Sequence, residues 1–291
     1  MDSFEPAPPL IGLRGRQRIA GFTLARPTSL TDALDLRKAR RSTWMAGGVD
    51  LIDSLKHGSP MERVIPLAGL AELRAIERTD DGALRVGALT TYQHLADSEL
   101  VRTMAPDLAT LIGGVANIRI RSKATVGGSV MSGNGVYDLM PALLALGATL
   151  VLVGPEGETR LPAANLEAGE PRLLRAVEIP SQQVTRLTFD RTLRPVACVY
   201  LGVDLRDGLA TSARLSVSCA HARPGVAAVA LDGSDAETLA HRLASGLPPA
   251  LDDGIASAAY RNRMIRILTR RLLETSLGTT LNTTPPAGSR P

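Results

Sequence analysis

The sequence predicts an α+β fold, because its strand-like and helix-like segments are grouped along the chain and do not alternate regularly. A β–turn–helix–β pattern fills residues 22–67, hairpin patterns recur over 73–161, and three long strand candidates between 184 and 220 precede two helices. The length of 291 residues allows more than one domain, at roughly 100–200 residues each. We therefore predict a two-part N-terminal region, followed by an α+β domain in which an antiparallel three-stranded sheet packs against helices.

Composition marks both ends of the chain as different from the rest. Prolines at 6, 8 and 9 indicate an extension, and the low-complexity sequence TTLNTTPPAGSRP indicates a disordered tail. The predicted divisions are an N-terminal extension (1–20), a first subdomain (21–72), a second subdomain (73–181), a C-terminal domain (182–278) and the tail (279–291).

The first subdomain begins with a helix whose start is marked by a capping box. Ser29 and Asp32 have the S-x-x-D spacing, which predicts a helix over about residues 30–41. The elements predicted to follow are a strand over 43–46, a helix over 50–56 closed by Gly58, and a strand over 63–67.

The second subdomain starts as a hairpin, because Thr79-Asp80-Asp81-Gly82 is a turn sequence between two apolar segments. The stretch 117–135 is polar and glycine-rich, and its lack of periodicity predicts irregular structure. The other predicted elements are helices near 91–97, 106–114 and 137–146, and a hairpin of strands over 149–153 and 158–161.

The C-terminal domain is predicted from one strong hairpin turn, Arg206-Asp207-Gly208. The predicted elements are strands over 184–190, 196–205 and 209–220, and helices near 235–245 and 254–277.

Charge and composition exclude several classes of function. The net charge is +4 and the pI about 9.4, but the basic residues are scattered, and a nucleic-acid protein usually carries a basic stripe. Aromatic residues make up 3% of the chain, too few for a base-stacking platform. The longest apolar stretch, over 140–154, is about 15 residues and too short to span a bilayer. With no secretory signal at the N-terminus, we expect a cytoplasmic protein.

Several familiar catalytic and metal sites are missing from the sequence. Cys198 and Cys219 form no CxxC pair, so neither a zinc nor an iron–sulfur site is predicted within this chain. The four histidines are dispersed, and the patterns GxGxxG, GxxxxGK[ST], HExxH and GxSxG are absent. We predict no catalytic residue and no metal ligand.

Two glycine doublets are the features that do point to a site. Gly47-Gly48 lies between a predicted strand and helix, and Gly127-Gly128 lies in the irregular stretch. Consecutive glycines let a turn present backbone N–H groups with no Cβ in the way, and at a helix N-terminus such a turn can bind phosphate. The alternative for each doublet is a tight turn and nothing more.

The chain resembles the FAD-binding subunit of the molybdenum-containing hydroxylases, the family that includes xanthine dehydrogenase and bacterial carbon monoxide dehydrogenase. The resemblance runs from about residue 22 to residue 278. It rests on the order and spacing of five blocks: F-x-x-x-R-P-x-S-x-x-x-A, AGGVDLIDSLKHG, VGALTTYQHLADS, IRSKATVGGSV and YDLMPALLALGATLVL. It implies a two-part FAD-binding domain of the PCMH/vanillyl-alcohol-oxidase-like type ahead of a C-terminal domain typical of carbon monoxide dehydrogenase flavoproteins.

The resemblance also implies which residues hold FAD. Both glycine segments would cradle the pyrophosphate and neighbouring groups, the stretch before the second segment would line the cofactor cleft, and Asp138 would accept hydrogen bonds from cofactor hydroxyls. An acidic residue is also favoured at a helix N-terminus by the helix dipole, and Asp138 can have both roles. Tyr137 and Tyr200 are expected either beside the flavin ring or in packing. The implied cofactor-binding residues are Ala46, Gly47, Gly48, Val49, Asp50, Val115, Ala116, Ile120, Thr125, Val126, Gly127, Gly128, Ser129 and Asp138.

The function implied is electron transfer through non-covalently bound FAD. Electrons would come from a 2Fe-2S subunit, which receives them from a molybdenum-cofactor subunit, and would leave for an external acceptor; a dimer of heterotrimers is expected. Ser129 stands where the family usually has Asn, and the aspartate expected near Ala197 is missing. A stand-alone FAD-dependent oxidoreductase and an FAD-free scaffold subunit remain as alternatives.

Overall fold

The computed structural model describes residues 19–181 and 185–281. The chain divides after Leu70 into two compact units. All but two residues of the predicted extension, and the tail from residue 282 onward, lie outside the described residues. Within the described chain, no helix has the length and apolar character needed to cross a membrane.

The first unit is a three-stranded parallel sheet with two connecting helices. The strands have the order β1-β3-β2, and Thr43 of β2 pairs with Val64 of β3. Parallel neighbours need crossover connections, and the two helices supply them. The elements are β1 (Thr23–Leu24), α1 (Leu30–Arg37), β2 (Ser42–Met45), α2 (Val49–Lys56) and β3 (Arg63–Pro66).

Helix α1 begins where the capping box predicts it and ends earlier than predicted. Ser29 Oγ accepts a hydrogen bond from the Asp32 amide at 3.1 Å. The helix ends at Arg37, and Ser42 Oγ lies 2.7 and 2.6 Å from the carbonyl oxygens of Arg37 and Ala39. Its single hydroxyl proton can therefore bond a carbonyl that the end of the helix leaves without a partner.

The second unit begins with a five-stranded antiparallel sheet and six helices. The strand order is β4-β5-β8-β6-β7, so the last strand, β8, inserts between the two hairpins. The elements are β4 (Ile76–Arg78), β5 (Leu84–Gly87), α3 (Tyr92–Asp97), α4 (Glu99–Met104), α5 (Pro106–Gly113), α6 (Ile118–Arg121), α7 (Val126–Ser132), α8 (Leu139–Leu146), β6 (Thr149–Gly154), β7 (Gly157–Pro162) and β8 (Leu173–Ile179).

The remainder of the second unit is an antiparallel meander followed by two helices. It contains the three predicted strands and a fourth, in the order β12-β11-β10-β9. The elements are β9 (Thr185–Arg191), β10 (Cys198–Arg206), β11 (Leu209–Ser218), β12 (Val226–Ala230), α9 (Ala236–Ser245) and α10 (Ala258–Leu281).

Helix α8 lies in the centre of the second unit. All eight of its residues are buried, which is typical of a helix covered on every side. It packs on β10 and β11, and a Cβ on Gly202 of β10 would lie 1.9 Å from the carbonyl oxygen of Ala145. Arg214 of β11 donates to the same carbonyl at 3.0 Å. The core around α8 therefore includes Tyr200 of the C-terminal sheet.

The α+β class is confirmed, and several details of the sequence prediction are wrong. Besides the early end of α1, helix α4 was not predicted. The stretch 117–135 is not irregular, because α6 and α7 lie in it. The strands β8 and β12 were not predicted, and the C-terminal sheet has four strands rather than three. Helix α10 runs through Leu281, three residues into the predicted disordered tail. The domain boundaries stay predictions.

Candidate cofactor-binding site

The first glycine segment, residues 46–50, forms the turn from β2 into α2. Gly48 is the N-cap of α2 with φ +81°, in the left-handed region that glycine adopts without strain. The first amides of a helix have no partner within the helix, and Gly48 has no side chain with which to cap them. All five residues of the segment are half-buried. The turn has the geometry of an anion-binding helix N-terminus.

The second glycine segment, residues 125–129, uses its amides inside the protein. Val126 N donates to the Thr90 carbonyl at 3.0 Å, and Gly127 N donates to the Ala88 carbonyl at 2.7 Å. The amides of Gly128 and Ser129 donate to Thr125, to Oγ at 3.1 Å and to the carbonyl at 3.1 Å. The expectation that this doublet presents open backbone N–H groups is therefore wrong.

Gly127 is needed for packing. A Cβ at this position would lie 2.8 Å from the Ala88 Cβ and 3.0 Å from its carbonyl oxygen. The glycine lets α7 approach the end of β5, and it holds the segment against the five-stranded sheet. Only Gly128 among the residues 125–129 has partial exposure. A role for this segment in cofactor binding stays a prediction.

The turn that precedes the second segment is stabilised by two side chains. Ala116 has φ +48°, and Asn117 caps α6 by accepting from the amides of Arg119 and Ile120 at 3.0 and 3.2 Å. The Arg121 guanidinium donates to the carbonyls of Val115 and Ala116 at 3.0 and 3.2 Å. Arg121 ends the stretch that the resemblance implies for the cofactor cleft, but the sequence analysis assigned no role to its side chain.

Two isoleucines of α6 are exposed. The side chains of Ile118 and Ile120 are 52% and 38% exposed. Ile120 belongs to the predicted cofactor-binding residues, and the exposure of two isoleucines beside the 115–117 turn fits contact with an apolar group.

Asp138 lies just before α8 and is bonded to the C-terminal sheet. Its Oδ1 accepts a hydrogen bond from the Tyr200 hydroxyl, and that hydroxyl lies 3.3 Å from Ser218 Oγ. Burial raises the pKa of Asp138, and the hydrogen bonds from Tyr200 and Ser218 only partly oppose this. Tyr200 is 2% exposed, so it packs in the core, as the packing alternative predicts. A carboxylate has about four acceptor positions, and Asp138 retains capacity for further donors.

The structure brings the predicted residues of the second unit together around α3. Tyr92 N donates to the Ala124 carbonyl at 2.9 Å, Thr91 bridges to Thr125, and Arg121 Nε donates to Gln93 Oε1 at 3.0 Å. These bonds join the 115–117 turn, α6 and α7, and α8 packs on α7. The first glycine segment belongs to the other unit.

The chemistry of each unit, taken by itself, suits one part of FAD. In the first unit, the N-terminus of α2 offers amides to a pyrophosphate. In the second unit, Ile118 and Ile120 are exposed apolar side chains, and Asp138 offers carboxylate oxygens to hydroxyl groups.

Comparison with known proteins identifies the family. Residues 20–182 match the family described as the FAD binding domain in molybdopterin dehydrogenase. The chain is 29% identical over 281 residues to the carbon monoxide dehydrogenase medium chain of Afipia carboxidovorans, covering 87% of this chain and 96% of that protein. It is 24% identical over 273 residues to the xanthine dehydrogenase FAD-binding subunit of Escherichia coli O157:H7, covering 85% and 93%. A chain of quinoline 2-oxidoreductase from Pseudomonas putida 86 has the same fold, with a TM-score of 0.78 at 22% identity over 91% of this chain and 99% of that one. The chain belongs to the FAD-binding domain family of the molybdopterin dehydrogenases and is an FAD-binding oxidoreductase subunit of the molybdenum hydroxylase family.

Proposed function

We propose that this chain is the electron-transfer flavoprotein of a heteromeric molybdenum hydroxylase. It takes electrons from a 2Fe-2S subunit and passes them to an external acceptor, and a third subunit holds the molybdenum cofactor. The observation that carries the proposal is the N-terminus of α2, where Gly48 begins the helix within the segment that the resemblance implies for FAD.

The names of the relatives support a division of labour between chains. They are a medium chain of carbon monoxide dehydrogenase and an FAD-binding subunit of xanthine dehydrogenase, and this chain covers more than nine-tenths of each. The only cysteines are Cys198 and Cys219, fewer than an iron–sulfur cluster requires. The clusters and the molybdenum cofactor would therefore reside on partner subunits, in a dimer of heterotrimers in the cytoplasm.

The residues of this chain would bind and orient the cofactor. The amides at the start of α2 would hold the pyrophosphate, and Asp138 would accept hydrogen bonds from hydroxyl groups. The turn at Val115 and Ala116, together with Ile120, would line the cofactor cleft. Flavin supplies the exchange between two-electron and one-electron chemistry.

The test is reconstitution of the purified chain. We expect it to bind FAD with one-to-one stoichiometry, measured by visible absorbance and by flavin released on denaturation. Candidate substrates should leave the flavin oxidised when this chain is alone, and should reduce it when both partner subunits are added. Reduction of the flavin by substrate with this chain alone would favour a stand-alone oxidoreductase. Failure to bind FAD would favour a scaffold subunit.

A further inference from the structure

The turn before α6 has a strained backbone at a residue other than glycine. Ala116 has φ +48°, and the left-handed region is disfavoured for any residue with a Cβ. Gly114, two residues earlier, has φ −86° and does not take this conformation. Strain of this kind persists only where the surrounding structure fixes it.

Arg121 is the side chain that fixes the turn. Its Nη1 donates to the carbonyls of both Val115 and Ala116, and its Nε donates to Gln93 Oε1 at 3.0 Å. Gln93 is oriented in turn, because its Nε2 donates to Asp97 Oδ2 at 2.7 Å. A planar guanidinium binds several acceptors in one fixed geometry, which an ammonium group does not.

The bonds to Arg121 determine where the amides of the turn point. In a trans peptide the N–H and C=O groups point in opposite directions. With the carbonyls of Val115 and Ala116 directed at Arg121, the amides of Ala116 and Asn117 are directed away from it. Both residues are exposed, and they stand next to the apolar surface formed by Ile118.

We infer that Arg121, oriented by Gln93, is a positioning residue of the FAD site: it holds Ala116 in the left-handed region, so that the amides of the turn face the cofactor. The inference rests on the proposed function, since Val115 and Ala116 are among the residues proposed to line the cofactor cleft. Arg121 itself touches protein atoms and acts through the turn.

The experiment compares FAD affinity in single and double variants of the full chain, by fluorescence titration. Arg121→Gln should weaken binding at least tenfold, because the turn loses two charge-assisted hydrogen bonds. Arg119→Gln is the matched control: it removes the same charge from α6 and should change affinity less than twofold. On a logarithmic scale, the Kd of Arg121→Lys for FAD should lie closer to that of Arg121→Gln than to that of the unsubstituted chain.

Rescue distinguishes positioning of the turn from general stabilisation. Glycine adopts positive φ without strain, so adding Ala116→Gly to Arg121→Gln should recover at least threefold in affinity. Unchanged affinity in Arg121→Gln, an equal loss in Arg119→Gln, or no rescue by Ala116→Gly would each overturn the inference. Should Arg121→Gln not fold, Gln93→Leu removes the acceptor that orients Arg121, together with the bond from Gln93 to Asp97, and should weaken binding at least threefold. Unchanged affinity there would also overturn the inference.

Hydrogen exchange separates this inference from the proposed function. In the absence of FAD, the amide of Val115, which donates to the Ile112 carbonyl at 3.2 Å, should exchange at least tenfold faster in Arg121→Gln than in the unsubstituted chain. Equal exchange rates would overturn the role of Arg121. Failure of the unsubstituted chain to bind FAD would overturn the proposed function and leave the exchange result intact.

Discussion

Helix α2 is bounded by two glycines in the left-handed region, and only one of them lies in the proposed cofactor loop. Gly48 precedes the helix with φ +81°, and Gly58 follows it with φ +84°. A Cβ at Gly48 would lie 3.6 Å from side-chain atoms of Ile52 and Met45, an ordinary contact, and among the described residues none comes within 4 Å of one at Gly58. Replacing either glycine by alanine therefore adds backbone strain without a steric clash.

The two substitutions should cost similar stability and differ in their effect on FAD. The left-handed conformation costs alanine about 1–2 kcal/mol, and the lower entropy of the unfolded chain offsets about 0.4–1 kcal/mol. The free energy of unfolding should fall by about 1 kcal/mol in each variant. In Gly48→Ala, the backbone relieves the strain by a change in φ at residue 48, and this change also reorients the first amides of α2. Loss of one charge-assisted bond, at about 1.5–3 kcal/mol, raises the Kd for FAD roughly ten- to a hundredfold.

The assay pairs urea denaturation of the apoprotein with fluorescence titration by FAD. Gly58→Ala is the control for strain, and its Kd should match that of the unsubstituted chain. Gly48→Asn should regain part of the affinity, because asparagine visits the left-handed region more readily than alanine. Equal loss of affinity in Gly48→Ala and Gly58→Ala, or no loss in Gly48→Ala, would refute the reasoning.

Three other predictions follow from the second unit. Gly202→Ala should lower the free energy of unfolding by about 3 kcal/mol, because its Cβ would lie 1.9 Å from the Ala145 carbonyl oxygen; urea denaturation equal to that of the unsubstituted chain would contradict this. Burial raises the pKa of Asp138 from 3.8, so its stability contribution is present below that value and is lost as the pH rises through the raised pKa. Asp138→Asn cannot ionise and should remove this loss, measured as the change in unfolding free energy between acid and neutral pH. A hydrogen bond from Cys198 lowers the pKa of Cys219, and Cys198 is buried, so at neutral pH iodoacetamide should alkylate Cys219 well before Cys198; equal labelling by mass spectrometry would contradict that order.

Much of the fold could be predicted because local signals mark it. The side chain of Ser29 starts α1, the sequence around Gly208 turns β10 into β11, and the apolar residues of α8 end at Gly147. Helices α6 and α7 have the N-cap residues Asn117 and Thr125, but their four and seven residues are too few for helical periodicity. The insertion of β8 between two hairpins depends on long-range pairing, which no local pattern encodes.

The site could be predicted from its glycines but not in its details. The doublet at Gly48 predicted a turn, and in the structure this turn leads into the N-terminus of α2. The doublet at Gly127 looked the same in sequence, yet the Gly127 amide donates to the Ala88 carbonyl and the Gly128 amide donates to Thr125 Oγ. The role of Arg121 depends on the φ of Ala116 and on carbonyl positions, which only the folded backbone provides.

Because α8 is completely buried, the parts of the second unit should unfold together. The helix has apolar contacts on the side of the five-stranded sheet and on the side of β10 and β11. A chain cut at residue 181 would leave one side of α8 in water, a surface of the kind that promotes aggregation. The regions 73–181 and 185–281 should therefore melt in a single calorimetric transition, and neither would be recovered as a soluble fragment by limited proteolysis between them.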